Sequence, residues 1–213
     1  MNTYLNISFN DKEQAKKYGA RFDFTKKLWY IPPNISEINK NKLLEKWRLK
    51  EINLIGEDRN YGGNDLFVDL IPKSCWFKNV RSNINSSDWD LIRKHIYSRV
   101  NNICECCGID TKLNKKQLEA HERWHYDNKN KIQKLVRIIA LCRDCHQSTH
   151  IGYAEITGNY KKAYNHLKKV RDFDDIDCED HINRAFELWE KRNKYNWKLD
   201  LSLIINNGFR IKK

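Results

Sequence analysis

Two Cys-x-x-Cys pairs, Cys104/Cys107 and Cys142/Cys145, constrain this chain more than any other feature. Each pair sets two thiols on one tight turn, and Gly108 permits the sharp backbone after the first. Four thiolates on two such turns can close a tetrahedral zinc site, which brings residue 104 to residue 145. Structural zinc of this kind contributes on the order of 10 kcal/mol to folding. The 34 residues between the pairs are too many for a bare zinc ribbon, so an element of structure is expected there. Cys106 falls outside the register and reads as a bystander. Cys75 and Cys178 lack a partner at metal-ligand spacing and read as small buried apolar residues.

Seven cysteines, an odd number, do not form a disulfide framework in the absence of an export signal. Met1 to Asn10 alternates polar and apolar residues and has no hydrophobic signal core, so a cytoplasmic location is expected. No apolar run approaches the roughly 18 residues of a membrane span. At 213 residues with 40% hydrophobic and 32% charged side chains, the chain reads as globular, with room for one ordinary domain or two small ones. Its net charge of +12 points to an anionic partner, nucleic acid first. The excess is concentrated between Arg81 and Arg171, where 18 Lys and Arg face 9 Asp and Glu. Lys115, Lys116, Arg123, Lys131, Lys134, Arg137 and Arg143 cluster in and around the inter-knuckle segment and are the expected phosphate contacts.

Two units are expected: an accessory module over 1–60 and a larger domain over 64–213. The larger domain would carry a metal core over 100–155 and a helical wrap over 156–213. In the first unit, Tyr4 to Phe9 alternates like a strand, Asn10 and Glu13 suggest a capping box, and Gly19 ends a short helix. Leu28 to Ile31 reads as a second strand before Pro32-Pro33, and a polar helix follows over 36–48. The Gly19-Ala20-Arg21-Phe22-Asp23 turn and the Leu28-Trp29-Tyr30-Ile31-Pro32 strand resemble a small bacterial domain of unknown function. Its usual pattern is Gly-Ala-Arg-Trp-Asp, and its company implies a binding or protein-docking module. Asp58 to Asp65, with Gly62-Gly63, is the linker candidate. Beyond it, Leu66 to Ile71 reads as a strand, and helices are expected over 88–100, within 153–170 with Ala163, Leu167 and Val170 on one side, and over 177–192.

His121 lies between Glu119 and Glu122, and His146 and His150 follow the second cysteine pair at i, i+4 spacing, which puts them on one helical face. His95, His166 and His181 read as ordinary hydrogen-bonded residues, and Trp76 and Trp124 as core rather than stacking platforms. The order of cysteine pair, histidine, then Leu141-Cys142-Arg143-Asp144-Cys145-His146 resembles the HNH endonucleases, the ββα-metal nucleases. From Leu70 to Ala154 the chain looks like a bacterial subgroup of HNH-endonuclease-like proteins, matched at His121, Glu122, Trp124, Tyr126, Asp127, Gln133, Leu135 and Cys142 to His146. The resemblance implies an α+β protein whose zinc-stapled ββα-metal core is wrapped by helices and preceded by a small strand-helix-strand module. It implies hydrolysis or nicking of double-stranded DNA, as small nucleases do in phage defence and mobile-element transfer. His121 matches the general base, with Glu122 beside it. His146 and His150 match ligands of a second divalent ion (Mg²⁺, Mn²⁺ or Zn²⁺) distinct from the structural Zn²⁺. Ala120 stands where many members carry a metal-binding Asp, so Glu119, Glu122, His125 and Asp127 remain open as the third ligand. Two rival readings follow from that gap: a catalytically silent zinc module that binds nucleic acid, and a protein adaptor.

Overall fold

The computed structural model describes residues 3–25, 28–47 and 52–212. The first unit is an antiparallel sheet of order β1-β3-β2 with two helices: β1 (Thr3–Leu5), α1 (Lys12–Lys17), β2 (Arg21–Asp23), β3 (Leu28–Ile31) and α2 (Glu37–Trp47). Its own small core is Leu5, Ala15, Ala20, Ile31, Leu43 and Trp47. Gly19, at φ +91°, ends α1 in a conformation that a side chain disfavours. Two local expectations shift. Ser8, not Asn10, caps the helical segment, accepting from Asp11 N–H at 3.2 Å. The Gly-Ala-Arg-Phe-Asp stretch is a strand as well as a turn, because Phe22 pairs with Trp29 across β2–β3 and their rings meet at 5.4 Å.

The larger unit runs α3 (Val80–Asn83), α4 (Ser86–Arg99), β4 (Leu118–Asp127), β5 (Ile132–Cys142), α5 (Arg143–Thr149), α6 (Ile151–Ile156), α7 (Tyr160–Arg171), α8 (Asp175–Asn193), β6 (Lys198–Asp200) and α9 (Ser202–Asn206). The fold is therefore mixed α+β. Its sheet has the order β4-β5-β6, with β4–β5 antiparallel and β6 parallel to β5. The segment between the cysteine pairs is the long β4–β5 hairpin. Ile138, Ile139 and Ala140 of β5 pack with Ile92 and Ile96 of α4 and Ala163 and Leu167 of α7 in one apolar core. The helix expected within 153–170 is α7, and the chain turns at Gly158 (φ +72°) to separate it from the shorter α6. Leu66 to Ile71 is extended but joins no sheet. Leu66 and Val68 are buried, and the backbone is satisfied one group at a time, Val68 N–H on His181 Nε2 at 3.0 Å and Asp69 N–H on the Thr149 carbonyl at 3.0 Å.

The stretch 58–65 is not a free linker. Arg123 and Arg137, cross-strand partners on the hairpin, both donate to the Tyr61 and Gly63 carbonyls at 2.6–3.1 Å. Gly62 (φ +68°) is required there, since a Cβ would sit 2.7 Å from Arg123 Nη1. Upstream, Leu54 belongs to the larger core, and Glu57 pairs with Arg99 and accepts from Ile138 N–H. The larger unit thus begins before residue 54 rather than at 64.

Candidate metal centres

The first centre is built by the hairpin's ends. Gly108 N–H donates to the Cys104 carbonyl at 3.0 Å, closing the first turn, and Glu105 N–H donates to the Ala140 carbonyl at 2.9 Å, docking that turn on β5. The second pair follows as β5 runs into α5. Cys142 N–H donates to Cys104 Sγ at 3.2 Å. The sulfurs of Cys104, Cys107, Cys142 and Cys145 lie within 4.8 Å of one another, and none is in a disulfide. Hydrogen bonds from Cys107, Cys142 and Cys145 hold the Cys104 thiol well below its ordinary value, while hydrogen bonding to Cys104 pushes Cys145 up. Four thiols sharing protons at this separation fit a tetrahedral thiophilic cation such as zinc. Cys106 stays outside. Burial pushes its thiol up to about 12, and it rests near the Asp65 carbonyl and Arg123. His166, read from sequence as an ordinary histidine, reaches the cluster from α7 with Nε2 3.1 Å from Cys145 Sγ. It is placed as an outer partner of a candidate metal ligand.

The second centre lies where the hairpin meets α5. His121 projects from β4, His146 from α5, and His150 from the C-terminal cap of α5. Their rings are 4.7–5.3 Å apart, and one nitrogen of each lies within 4.8 Å of the others. His121 is buried, and its Nε2 has no hydrogen-bond partner among the described residues. Burial, then the neighbouring His150 and His146, keep the His121 imidazole well below its ordinary pKa, and burial lowers His150 to about 3. These two rings are neutral at pH 7, so each has a lone pair to offer. Glu119 takes a 2.9 Å contact from His146 Nδ1, which leaves Nε2 as the atom free for a metal, and the same bond lowers the Glu119 carboxyl. Three convergent imidazoles with a carboxylate behind one of them fit a divalent cation.

The residues left open as third ligand separate. Glu119 joins the histidines. Glu122 points from the opposite face of β4, and its carboxylate accepts from Val80 N–H at 2.7 Å at the start of α3. Burial raises Glu122 to about 7. His125 is exposed beside Tyr61, and Asp127 caps the hairpin turn through Lys129 N–H, Asn130 N–H and Asn130 Nδ2. Glu122 is therefore an anchor for α3 and not a member of the histidine cluster.

The expected basic surface also divides. Arg123 and Arg137 are 3% and 1% exposed and are consumed by backbone carbonyls and Glu105, so they cannot meet a phosphate. Lys116 pairs with Asp144 at 2.7 Å, and Lys131 lies at the hairpin tip over the Tyr195 ring. Lys115, Lys134 and Arg143 are exposed. Other cations line the cleft of about 1290 Å³ that opens over the histidines: Lys78, Arg81, Arg93 and Lys212. No periodicity or motif distinguishes these four in the sequence. Among the described residues no helix is long and apolar enough to cross a membrane.

No curated protein and no solved structure matches the chain. Residues 2–47 match a family described only as a domain of unknown function (DUF5710), and this is the segment that folds as the small β1-β3-β2 unit.

Proposed function

We propose that this protein is a metal-dependent endonuclease of the HNH type that hydrolyses or nicks DNA. The single observation that carries the reading is the buried His121, Nε2 unpartnered, meeting His146 and His150 at the junction of a β-hairpin and the helix that follows the second cysteine pair. The strand, strand, helix order of β4, β5 and α5 is the order that a ββα-metal core requires, and the four cysteines would staple it with Zn²⁺.

His146 and His150 would hold a divalent ion (Mg²⁺, Mn²⁺ or Zn²⁺), which when bound stabilises charge on the phosphate and the leaving oxygen. Glu119 orients His146 through Nδ1. His121, neutral because it is buried, accepts a proton at Nε2 from the attacking water, a role worth about 10²–10⁴-fold. The same ring is near enough to ligate in place of the Asp lost at Ala120, and both roles predict the same loss on its removal. Arg81, Lys78 and Lys212 bring positive charge to the cleft and would meet the phosphodiester backbone. Duplex DNA follows from the resemblance alone.

Supercoiled plasmid incubated with Mg²⁺ or Mn²⁺ tests the reading. Parent protein converts it to nicked or linear forms; His121→Ala slows this by about 10²–10⁴-fold with the cysteine-bound zinc retained. Cleavage by His121→Ala at the parental rate refutes the assignment. A parent that binds DNA but cuts under none of these metals is the silent binding module instead, and Arg81→Ala then lowers affinity and its salt dependence.

A further inference from the structure

The histidines occupy only part of the cleft, and the chemistry of the remainder differs. Gln133 is 1% exposed, and neither Oε1 nor Nε2 has a hydrogen-bond partner among the described residues. Buried amides without partners are rare, so each calls for an explanation. Gln133 is no bystander of packing, because it lines the cleft. It sits on β5 opposite Tyr126, two pairs beyond Trp124–Leu135. The register shift skips Val136 of β5 and leaves β4 in regular alternation, so Trp124 and Gln133 share the face that carries Glu122, and the cleft reaches them around the sheet from the histidines.

The cleft that Gln133 lines is rich in aromatic residues. Trp76, Trp89, Trp124 and Trp189 all line the same cleft. The indole N–H groups of Trp76 and Trp189 converge on one acceptor, the Ile71 carbonyl, at 2.8 and 3.0 Å. Their polar edges are thus satisfied within the protein; Lys73 Nζ lies 5.5 Å over the Trp189 ring, which leaves Trp76 as the more open of the two. Trp76 is 52% exposed, an unusual place for the largest apolar side chain unless something covers it. Tyr153, also strongly exposed, lines the wall nearer His150. Lys78 adds a cation at this end, its Nζ 3.3 Å from the Trp197 carbonyl, and Trp197 packs on Tyr126, the strand partner of Gln133.

A side-chain amide presents a donor and an acceptor side by side, the pattern that pairs with a nucleobase edge. Indole faces take the flat surface of any base. A base inside an intact duplex cannot reach a buried amide; it must be single-stranded or extruded. Resting on the nuclease reading, we infer that the cleft receives an unpaired nucleobase, stacked on its tryptophans and read at its edge by Gln133. The preferred substrate is accordingly single-stranded or base-extruded DNA rather than perfect duplex.

The test is equilibrium binding by fluorescence anisotropy, with full-length protein and no added divalent metal. Three labelled probes of common sequence are used: a single strand, its perfect duplex, and that duplex with one extrahelical adenine. The single strand and the bulged duplex are expected to bind ~10-fold or more tightly than the perfect duplex. Gln133→Leu should remove most of the preference for the bulge. It should also raise the melting temperature, because an apolar isostere removes two unpartnered polar atoms. Trp76→Ala, a surface change, should weaken both unpaired probes and leave the duplex unchanged. Equal affinity for all three probes, indifferent to both variants, overturns this inference while leaving a DNA-binding nuclease intact. A rise in melting temperature with unchanged binding also overturns it, the amide then holding only water. Failure of every probe to bind at low salt overturns the nucleic-acid reading itself.

Discussion

Arg137 is the residue at which a surface reading of the basic charge and the folded arrangement part most sharply, and its replacement by Met measures the difference. The guanidinium is almost wholly buried. Its Nη2 donates to Glu105 Oε1 at 2.9 Å, and Nη1 donates to the Gly63 and Tyr61 carbonyls at 2.6 and 3.1 Å. Glu105 keeps one further partner, Ala140 N–H at 2.7 Å, and its side chain is 8% exposed. Arg137→Met fills much of the same volume but leaves a buried carboxylate with one hydrogen bond and leaves Arg123 alone to hold the Tyr61 and Gly63 carbonyls. Removing one member of a buried ion pair costs about 3–5 kcal/mol. At about 2–4 °C per kcal/mol for a chain of this size, the melting temperature should fall by roughly 6–20 °C. Glu105→Gln in the same background should recover part of the loss, since it discharges the orphaned group; the double variant's departure from the sum of the two single changes is the coupling energy of the cycle. Thermal and urea unfolding with zinc held in excess gives all four values. A single variant within about 1 kcal/mol of the parent would falsify the buried-pair reasoning.

Three further outcomes are expected. Cys142→Ser should drop bound zinc from one per chain towards none by elemental analysis and loosen the hairpin ends, which the sulfur cluster joins; full zinc content in that variant refutes the four-cysteine site. Glu122 is raised to about 7 against 4.5 for an ordinary glutamate, so its protonated form is favoured by folding. Its contribution is present in full below pH 4.5 and is lost as pH rises towards 7, by up to about 3 kcal/mol; Glu122→Gln should therefore gain stability over the parent between pH 5 and 8, and a pH-independent difference contradicts the burial. A chain cut at residue 52 should fold and keep zinc, whereas one cut at 64 loses Leu54, Glu57 and the 61–63 carbonyls and should be insoluble or poor in zinc; equal behaviour of the two places the boundary elsewhere.

Local sequence rules located much of the framework because the signals were themselves local. The spacing within each cysteine pair is fixed by one turn, and that turn forms wherever its chain neighbours allow it. Helix α8 carries its own N-cap, Asp174, and its own apolar stripe, so it was legible to within a few residues. The i, i+4 placement of His146 and His150 is likewise a property of one short segment. The small unit betrayed its strand Leu28–Ile31 by composition, but β2 was hidden, because three residues become a strand only when a neighbour supplies the pairing partner.

Charge was the least legible property. Sequence counts positive residues but says nothing about which of them the fold will bury. Arg123 and Arg137 look like their exposed neighbours and become the interior ties of a loop 60 to 76 residues away. Glu57, Glu105 and His166 gained their roles in the same manner, through partners 21 to 81 residues distant. Residue types and their spacing along the chain set the candidate ligands, their pairing in two turns and a long insertion between them. Long-range folding makes this insertion a hairpin that carries His121 to His146 and His150, puts Glu119 and not Glu122 behind them, and brings Gln133 and Trp124 to the same cleft. Spacing along a chain fixes contacts within a turn, but contacts between turns depend on strand register, and here the skip of Val136 in β5 sets which side chains of the two strands share a face.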